Sequence, residues 1–309
     1  MLVPILTQTL SMGAFFTFRF FVMQNTYRLI DSGNFEKLEQ VGPFRMIRPS
    51  PQAVWMPSQP KLWQKVDATF RRFAGGDGKW TIDNPAMKKP WTIEYGGLNL
   101  QIELTDFGHL GLFAEQRMNW QRIRNLSFDG TRSGSEFNVL NLFAYTGGSS
   151  LAAAQGGAQV AHVDASKTSV AWARTNADGN KLGDAPIRWL TDDVQKFVQR
   201  EIRRNRLYKG IILDPPSFGR GTAGETWKIE EHLIPLLESL RSILDPEFSF
   251  FLLSSHSTGY TPIAMQNLLG SLLKGVKGRF IAEEMLVEEE GTGRALPSGA
   301  STWFIREPS

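Results

Sequence analysis

Cysteine is absent from the 309 residues. With it go disulfide frameworks, iron–sulfur clusters, cysteine-ligated zinc and any reaction that needs a thiolate nucleophile. Histidine is scarce, and His109, His162, His232 and His256 form no i, i+4 pair, so no metal site is expected. No apolar run reaches the ~18 uninterrupted residues of a membrane span. The first 23 residues come nearest, yet Pro4, Gln8 and Arg19 interrupt them and no basic segment precedes them. Residues 1–26 are therefore expected to be a poorly specified extension, with a targeting segment as the other reading. A cytoplasmic protein without a membrane partner is expected. Internal repeats and low-complexity tracts are missing too. Neither charge dominates: 34 Lys+Arg against 31 Asp+Glu give +3, too little for a DNA-packaging protein but compatible with a polyanionic substrate.

What remains is a globular composition, 41% hydrophobic and 21% charged, with length for about two domains at ~150 residues each. The cations concentrate at the front, where residues 1–97 hold 12 Lys+Arg against 7 Asp+Glu. From Tyr27 to Leu104, short extended pieces (YRLI, FRMI, WTIEYGGLNLQIEL) are broken by turn residues. That pattern predicts a small strand-rich unit, 27–105, with one helix near Leu62 to Phe73. From about Glu136 the rhythm becomes strand, small-residue loop, helix. FNVLNLF, QVAHVDA, IRWLTDD, KGIILDPP and FSFFLLSS read as strands, with helices starting near Ser149, Ser166, Val194, Glu230 and Pro262. Alternating strands and helices predict an α/β, doubly wound, Rossmann-like, mostly parallel sheet over 106–309. RFIAEEMLVEEE and STWFIRE add an antiparallel hairpin at its edge. Ligands of such sheets bind beyond the carboxyl ends of the strands.

The first strand runs from Asn141 into Gly147-Gly148, whose freedom lets backbone approach a ligand before a helix start rich in free N–H groups. A tight turn that binds nothing is the other reading. The second strand ends in Asp164, followed by Ala165 and Ser166. Its carboxylate is placed to accept the hydroxyls of a ribose, or else to cap the next helix. The third ends in Asp192-Asp193, where one carboxylate could take an adenine amino group or serve as helix N-terminal acid. The fourth ends in Asp214-Pro215-Pro216-Ser217-Phe218. Two prolines stiffen a loop beside a carboxylate and a ring that could stack on a base, which suits an exocyclic NH2 group as methyl acceptor. Hydride transfer is disfavoured, because the first loop lacks G-x-G-x-x-G.

The order of these loops resembles class I S-adenosylmethionine-dependent methyltransferases. NLFAYTGGSSLAAAQGGAQVAHVDAS, TDDVQKF, IILDPPSFGRG and GHLGLFAEQRMNW are similar to the bacterial large-subunit ribosomal RNA methyltransferases and their uncharacterised relatives. The resemblance extends over roughly residues 27–309. It implies S-adenosylmethionine as cofactor and S-adenosylhomocysteine as product. Phe143, Ala144, Tyr145, Thr146, Gly147 and Gly148 would line the methionine part, Asp164 would hold the ribose, and Asp192 or Asp193 the adenine. Gln116 and Arg117 would approach the cofactor carboxylate, Asn141, Ala165, Ser166 and Asp214 would also border the cofactor, and Asp214 to Phe218 would receive the target.

One departure bears on chemistry. Members of that family that methylate cytosine C5 carry T-C-S-C-S-G after the fifth strand, and here Ser254-Ser255-His256-Ser257-Thr258-Gly259 stands in its place. Without either thiolate, addition to C6 is excluded, whereas transfer to a nitrogen needs only in-line alignment. With the Asp214–Phe218 acceptor loop and the basic front third, this sets the expectation of an RNA partner, methylated on an exocyclic amine of a ribosomal base. A protein or small-molecule amine, or a non-catalytic cofactor-binding module, is the alternative. His256 reads as a loop-stabilising residue or one that faces the target. The basic run Lys196 to Lys209 reads as a solvated helix end or an RNA contact.

Overall fold

The computed structural model describes residues 25–73, 78–132, 134, 136–221 and 224–307. The expectation for residues 1–26 falls almost wholly outside them. A front sheet comprises β1 (Tyr27–Gly33), β2 (Glu36–Val41), β3 (Phe44–Pro49), β4 (Ala68–Arg72) and β5 (Gly78–Ile82), adjacent in that order. The hairpin β6 (Trp91–Tyr95) and β7 (Leu98–Ile102) follows, turned at Gly96-Gly97, both with positive φ.

The helix expected near Leu62 to Phe73 is instead a short 3-10 turn, Pro60–Gln64, followed by β4. Asp67 is the cause. Its carboxylate accepts from Arg45 N and Asn84 Nδ2, both at 2.8 Å, and its carbonyl accepts from the amides of Asp83 and Asn84. These bonds draw the segment into the sheet, with Ala68 beside Met46 and Phe70 beside Trp80. Strand β2 carries little apolar signal because Glu39 is buried inside the sheet. Burial alone would raise its carboxyl, but Arg48 and Lys37 outweigh burial and hold it at about 2.

The larger sheet contains β8 (Asn138–Leu142), β9 (Gln159–Asp164), β10 (Ile187–Thr191), β11 (Gly210–Leu213), β14 (Phe250–Ser255), β15 (Gly278–Glu288) and β16 (Ala295–Arg306). A two-stranded ribbon, β12 (Phe218–Arg220) and β13 (Thr226–Lys228), lies outside it. Its order is β10-β9-β8-β11-β14-β16-β15. The first five strands are parallel, and β16 runs antiparallel to β14 and β15. The helices are α1 (Arg117–Thr131), α2 (Gly148–Gln155), α3 (Lys167–Gly179), α4 (Val194–Arg203), α5 (Ile229–Arg241) and α6 (Pro262–Leu272). Those after β8, β9, β10 and β14, and α5, begin within one residue of the sequence expectation. Their starts are fixed locally, since Ser166, Asp193 and Thr261 accept backbone N–H groups three residues on.

Side chains alternate between the two faces of this sheet. Val139, Val160, Ile212 and Leu252 join one apolar core with Trp120, Ile123, Leu151 and Ala177. Leu140, Val163, Leu213 and Leu253 join the other with Phe197, Leu233 and Met265. Each buried aliphatic contributes ~1.5–3 kcal/mol, and a one-residue slip would send every one to the wrong face, so the register is strongly determined. The first core continues into Tyr27, Met46, Ala68 and Ile93, joining the front strands to the larger sheet. Arg294, near the β15–β16 turn, adds a bond of 2.8 Å to Asp31. No helix among the described residues is long and apolar enough to cross a membrane.

Candidate active site

Chain order reverses between β8 and β11, and a cavity of about 610 Å³ opens at the carboxyl ends of the strands there. The loop after β8 forms its wall. Phe143 (φ 56°) and Tyr145 (φ 49°) adopt the left-handed conformation, and Gly147 (φ 91°) follows. Bulky residues in that region cost about 1–3 kcal/mol each and persist only where the surroundings hold them. Here Tyr145 N donates to Asp164 Oδ2 at 2.8 Å, Thr146 Oγ1 to the Gly111 carbonyl at 2.8 Å, and Asn176 Nδ2 to the Thr146 carbonyl at 2.9 Å. Gly148 has to be small, because a Cβ there would come within 2.5 Å of the Trp120 ring.

Asp164 stands opposite this loop. Its Oδ1 accepts from Ser166 N at 2.8 Å, so one carboxylate organises both loop backbones. Burial pushes its carboxyl up from the ordinary value, and the two N–H donors oppose that. Ala165 and Ser166 also line the cavity, as do Asn141, Phe143, Ala144, Tyr145, Thr146, Gly147 and Gly148. Asn141 donates to Ser150 Oγ at 2.9 Å, which ties β8 to the first turn of α2.

The structure separates Asp192 from Asp193. Asp193 lines the cavity while capping α4 through Lys196 N. Asp192 forms an ion pair with Arg200 and does not line the cavity. Gln116 and Arg117 part likewise. Gln116 is buried on the wall, whereas Arg117 is exposed over the Tyr95 ring, 5.8 Å from its centroid. Asp214, Pro215, Pro216 and Ser217 all line the cavity, but Phe218 is 56% exposed and is not one of the lining residues.

Asp214 is held asymmetrically. Its Oδ2 accepts from Gln116 Nε2 at 2.9 Å, and Gln116 is itself fixed by Asn119, which in turn accepts from Trp303 Nε1 at 2.9 Å. Its Oδ1 is buried, has no hydrogen-bond partner among the described residues and lies 3.6 Å from His256 Nδ1. The carbonyls of Pro216 and Ser217 are engaged by Trp227 Nε1 (2.7 Å) and Ile229 N (3.0 Å).

Sequence reasoning left the role of His256 open and missed Glu115. His256 Nε2 meets Glu115 Oε1 at 2.9 Å, and the ring packs on Phe113 at 5.2 Å. Burial would favour the neutral imidazole, but Asp214 and Glu115 outweigh it and push its pKa up to about 10. His256 is thus an imidazolium at neutral pH, between two carboxylates. The ring binds its proton more tightly folded than unfolded, where its pKa is near 6.5. Its stabilising contribution is complete below about 6.5 and disappears as pH rises to about 10. The stability difference between wild type and His256→Gln, measured by chemical denaturation, is expected to shrink from pH 6.5 to 9.5. A constant or widening gap would contradict the charged state.

A glycine turn, a carboxylate closing the second parallel strand and an Asp-Pro-Pro loop closing the fourth form a cradle around one cavity. The family model for S-adenosylmethionine-dependent methyltransferases matches residues 50–247, and the chain belongs to that family. In structure it is similar to a methyltransferase of this class from Agrobacterium tumefaciens, at 38% identity and a TM-score of 0.84, covering 91% of this chain and 90% of that one. A putative methyltransferase solved in complex with SAH shares the fold at 19% identity and a TM-score of 0.68, over 96% of this chain and 79% of its own. Among curated proteins, the chain is 32% identical over 199 residues to ribosomal RNA large subunit methyltransferase K/L of Pseudoalteromonas atlantica. It is 29% identical over 164 residues to ribosomal RNA large subunit methyltransferase I of Aeromonas salmonicida. The matches take in 63% and 52% of this chain but only 26% and 40% of those proteins, so the chain spans less than half of each.

The cradle fits S-adenosylmethionine on its own chemistry. Gly147 and Gly148 present bare backbone on the wall, and the half-buried Asp164 retains acceptor capacity for a diol. Tyr145 lines the wall, and its buried Oη has no hydrogen-bond partner among the described residues.

Proposed function

We propose that the chain transfers a methyl group from S-adenosylmethionine to an exocyclic amine of a ribosomal RNA base. In this reading residues 27–105 hold the RNA and 106–309 perform the transfer. The observation that carries it is Asp214 Oδ1, a buried carboxylate oxygen of a cavity-lining residue that has no hydrogen-bond donor among the described residues. The His256 imidazolium, 3.6 Å away, offsets its charge without hydrogen-bonding it, and an incoming NH2 group supplies that hydrogen bond, which to a charged acceptor contributes ~1.5–3 kcal/mol. The names of the curated relatives and the cationic front third support RNA as the carrier of that amine.

S-adenosylmethionine brings an electrophilic methyl group on a sulfonium. Asp214 Oδ1 and the Pro215 carbonyl accept the two amine hydrogens, turning the nitrogen lone pair toward the cradle. Gln116 keeps the carboxylate from rotating. As the new N–C bond forms, Asp214 is placed to take the proton the nitrogen releases. Covalent addition has no support among the neighbouring groups. Ser257 Oγ is bonded to Ser217 Oγ at 2.7 Å, and Ser255 Oγ accepts from Ser257 N. His256, between them, already holds its proton and cannot act as their base.

Mass spectrometry of nucleosides from ribosomal RNA of a strain lacking the gene tests the assignment. One N-methylated nucleoside is expected to disappear and to return with the wild-type gene. An unchanged nucleoside profile would shift the reading to a protein or small-molecule amine.

A further inference from the structure

The most evident basic run in the sequence turns out to be largely engaged within the protein. Arg200 pairs with Asp192, Lys196 with Glu225, Arg204 with Glu201, and Arg206 donates to Asn138. The cations at the cavity mouth differ. Arg72, from β4, and Arg220, from β12, both line the cavity, both are exposed, and neither forms an ion pair with a described residue. They reach the same opening from separate parts of the chain. Beyond Arg72 the hairpin places Arg71 directly across from Lys79, both exposed. Like charges in register destabilise a strand pair unless an anion lies between them.

Aromatic rings accompany these charges. Phe107 is 71% exposed in the turn that leads to His109, a residue of the cavity wall, and Phe218 is 56% exposed two residues before Arg220. The turn carrying Phe107 is pinned to the front sheet, since Arg48 Nη1 donates to the Gly108 carbonyl at 2.9 Å and Phe70 packs against Gly108. Exposed aromatic rings offer faces on which bases can stack.

We propose that this rim grips unpaired RNA, with Arg72 and Arg220 taking phosphates on either side of the target nucleotide and Phe107 and Phe218 stacking on neighbouring bases. The proposal rests on the RNA reading above. Cations interleaved with aromatic platforms suit a single strand, whose bases expose their faces, and not a duplex, whose bases are stacked on each other. A half-buried Asp214 adds the same requirement, because a base has to leave its stack to reach it.

Fluorescence anisotropy with a mixed-sequence 12-nucleotide RNA, single-stranded or annealed to its complement, tests the rim across a range of salt. Calorimetry with S-adenosylhomocysteine confirms that each variant is folded. Wild type is expected to prefer the single strand. Phe107→Ala/Phe218→Ala is expected to weaken that binding roughly 10- to 100-fold with the salt dependence kept. Arg72→Ala/Arg220→Ala is expected to flatten the slope of log K against log salt by about 1.4, or 0.7 for each lost phosphate contact. If wild type binds the single strand and both double variants bind equally well, the rim proposal is wrong and the RNA reading stands. A preference for duplex also overturns the rim. If wild type binds neither form and no RNA nucleoside depends on the gene, the RNA reading fails and the rim with it.

Discussion

Asp214→Ala is expected to lower the rate of methyl transfer about 30- to 1000-fold while leaving affinity for S-adenosylhomocysteine nearly unchanged. The loss follows from removing a preorganised, charge-bearing acceptor at the reacting nitrogen, worth ~2–4 kcal/mol at the transition state. Affinity is spared because Asp214 belongs to the wall built by the Asp-Pro-Pro loop, while the cradle is built by Gly147, Gly148 and Asp164. Asp214→Asn keeps the shape and one acceptor oxygen but no charge, so it should recover part of the lost rate. Single-turnover kinetics with saturating cofactor, paired with calorimetry, separate the two effects. Lost affinity equal to the lost rate would move Asp214 into the cofactor site.

Asp164→Ala should show the opposite pattern. A carboxylate that accepts from Tyr145 N and Ser166 N holds the strained loop in place, and in our reading it also accepts the ribose hydroxyls. Hydrogen bonds to a charged group contribute ~1.5–3 kcal/mol, so S-adenosylhomocysteine should bind roughly 10- to 150-fold more weakly. Enough cofactor to saturate the variant should restore most of the turnover. Affinity within about threefold of wild type would place the ribose elsewhere.

The parallel sheet was legible because its strands are buried on both faces and so read as continuous apolar runs, FFLLSS in β14 being the plainest. The front sheet was less so. In β2 the buried Glu39 breaks the alternation, and the segment after Trp63 looks helical until Asp67 is seen bonded to Arg45, Asp83 and Asn84. The order of the site loops was readable because each loop carries its chemistry within a few consecutive residues. Neighbouring residues were harder to tell apart, since which of Gln116 and Arg117, or of Asp192 and Asp193, turns inward depends on packing. Pairings across the chain left no local trace. Gln116 meets Asp214 over 98 positions and His256 meets Glu115 over 141. The positive φ of Phe143 and Tyr145 was equally hidden, because the signal for that conformation is glycine and both are aromatic.

The nitrogen that Asp214 Oδ1 would receive distinguishes amine transfer from transfer to carbon. The most direct measurement incubates the purified protein with deproteinised large-subunit ribosomal RNA and S-adenosylmethionine labelled in its methyl group, then digests the RNA and locates the label by mass spectrometry. Label on an exocyclic base nitrogen, lost with Asp214→Ala and retained with Ser255→Ala and Ser257→Ala, is the predicted result. Label on carbon 5 of a pyrimidine, or transfer that survives Asp214→Ala and is abolished in a folded Ser255→Ala or Ser257→Ala variant, would contradict it.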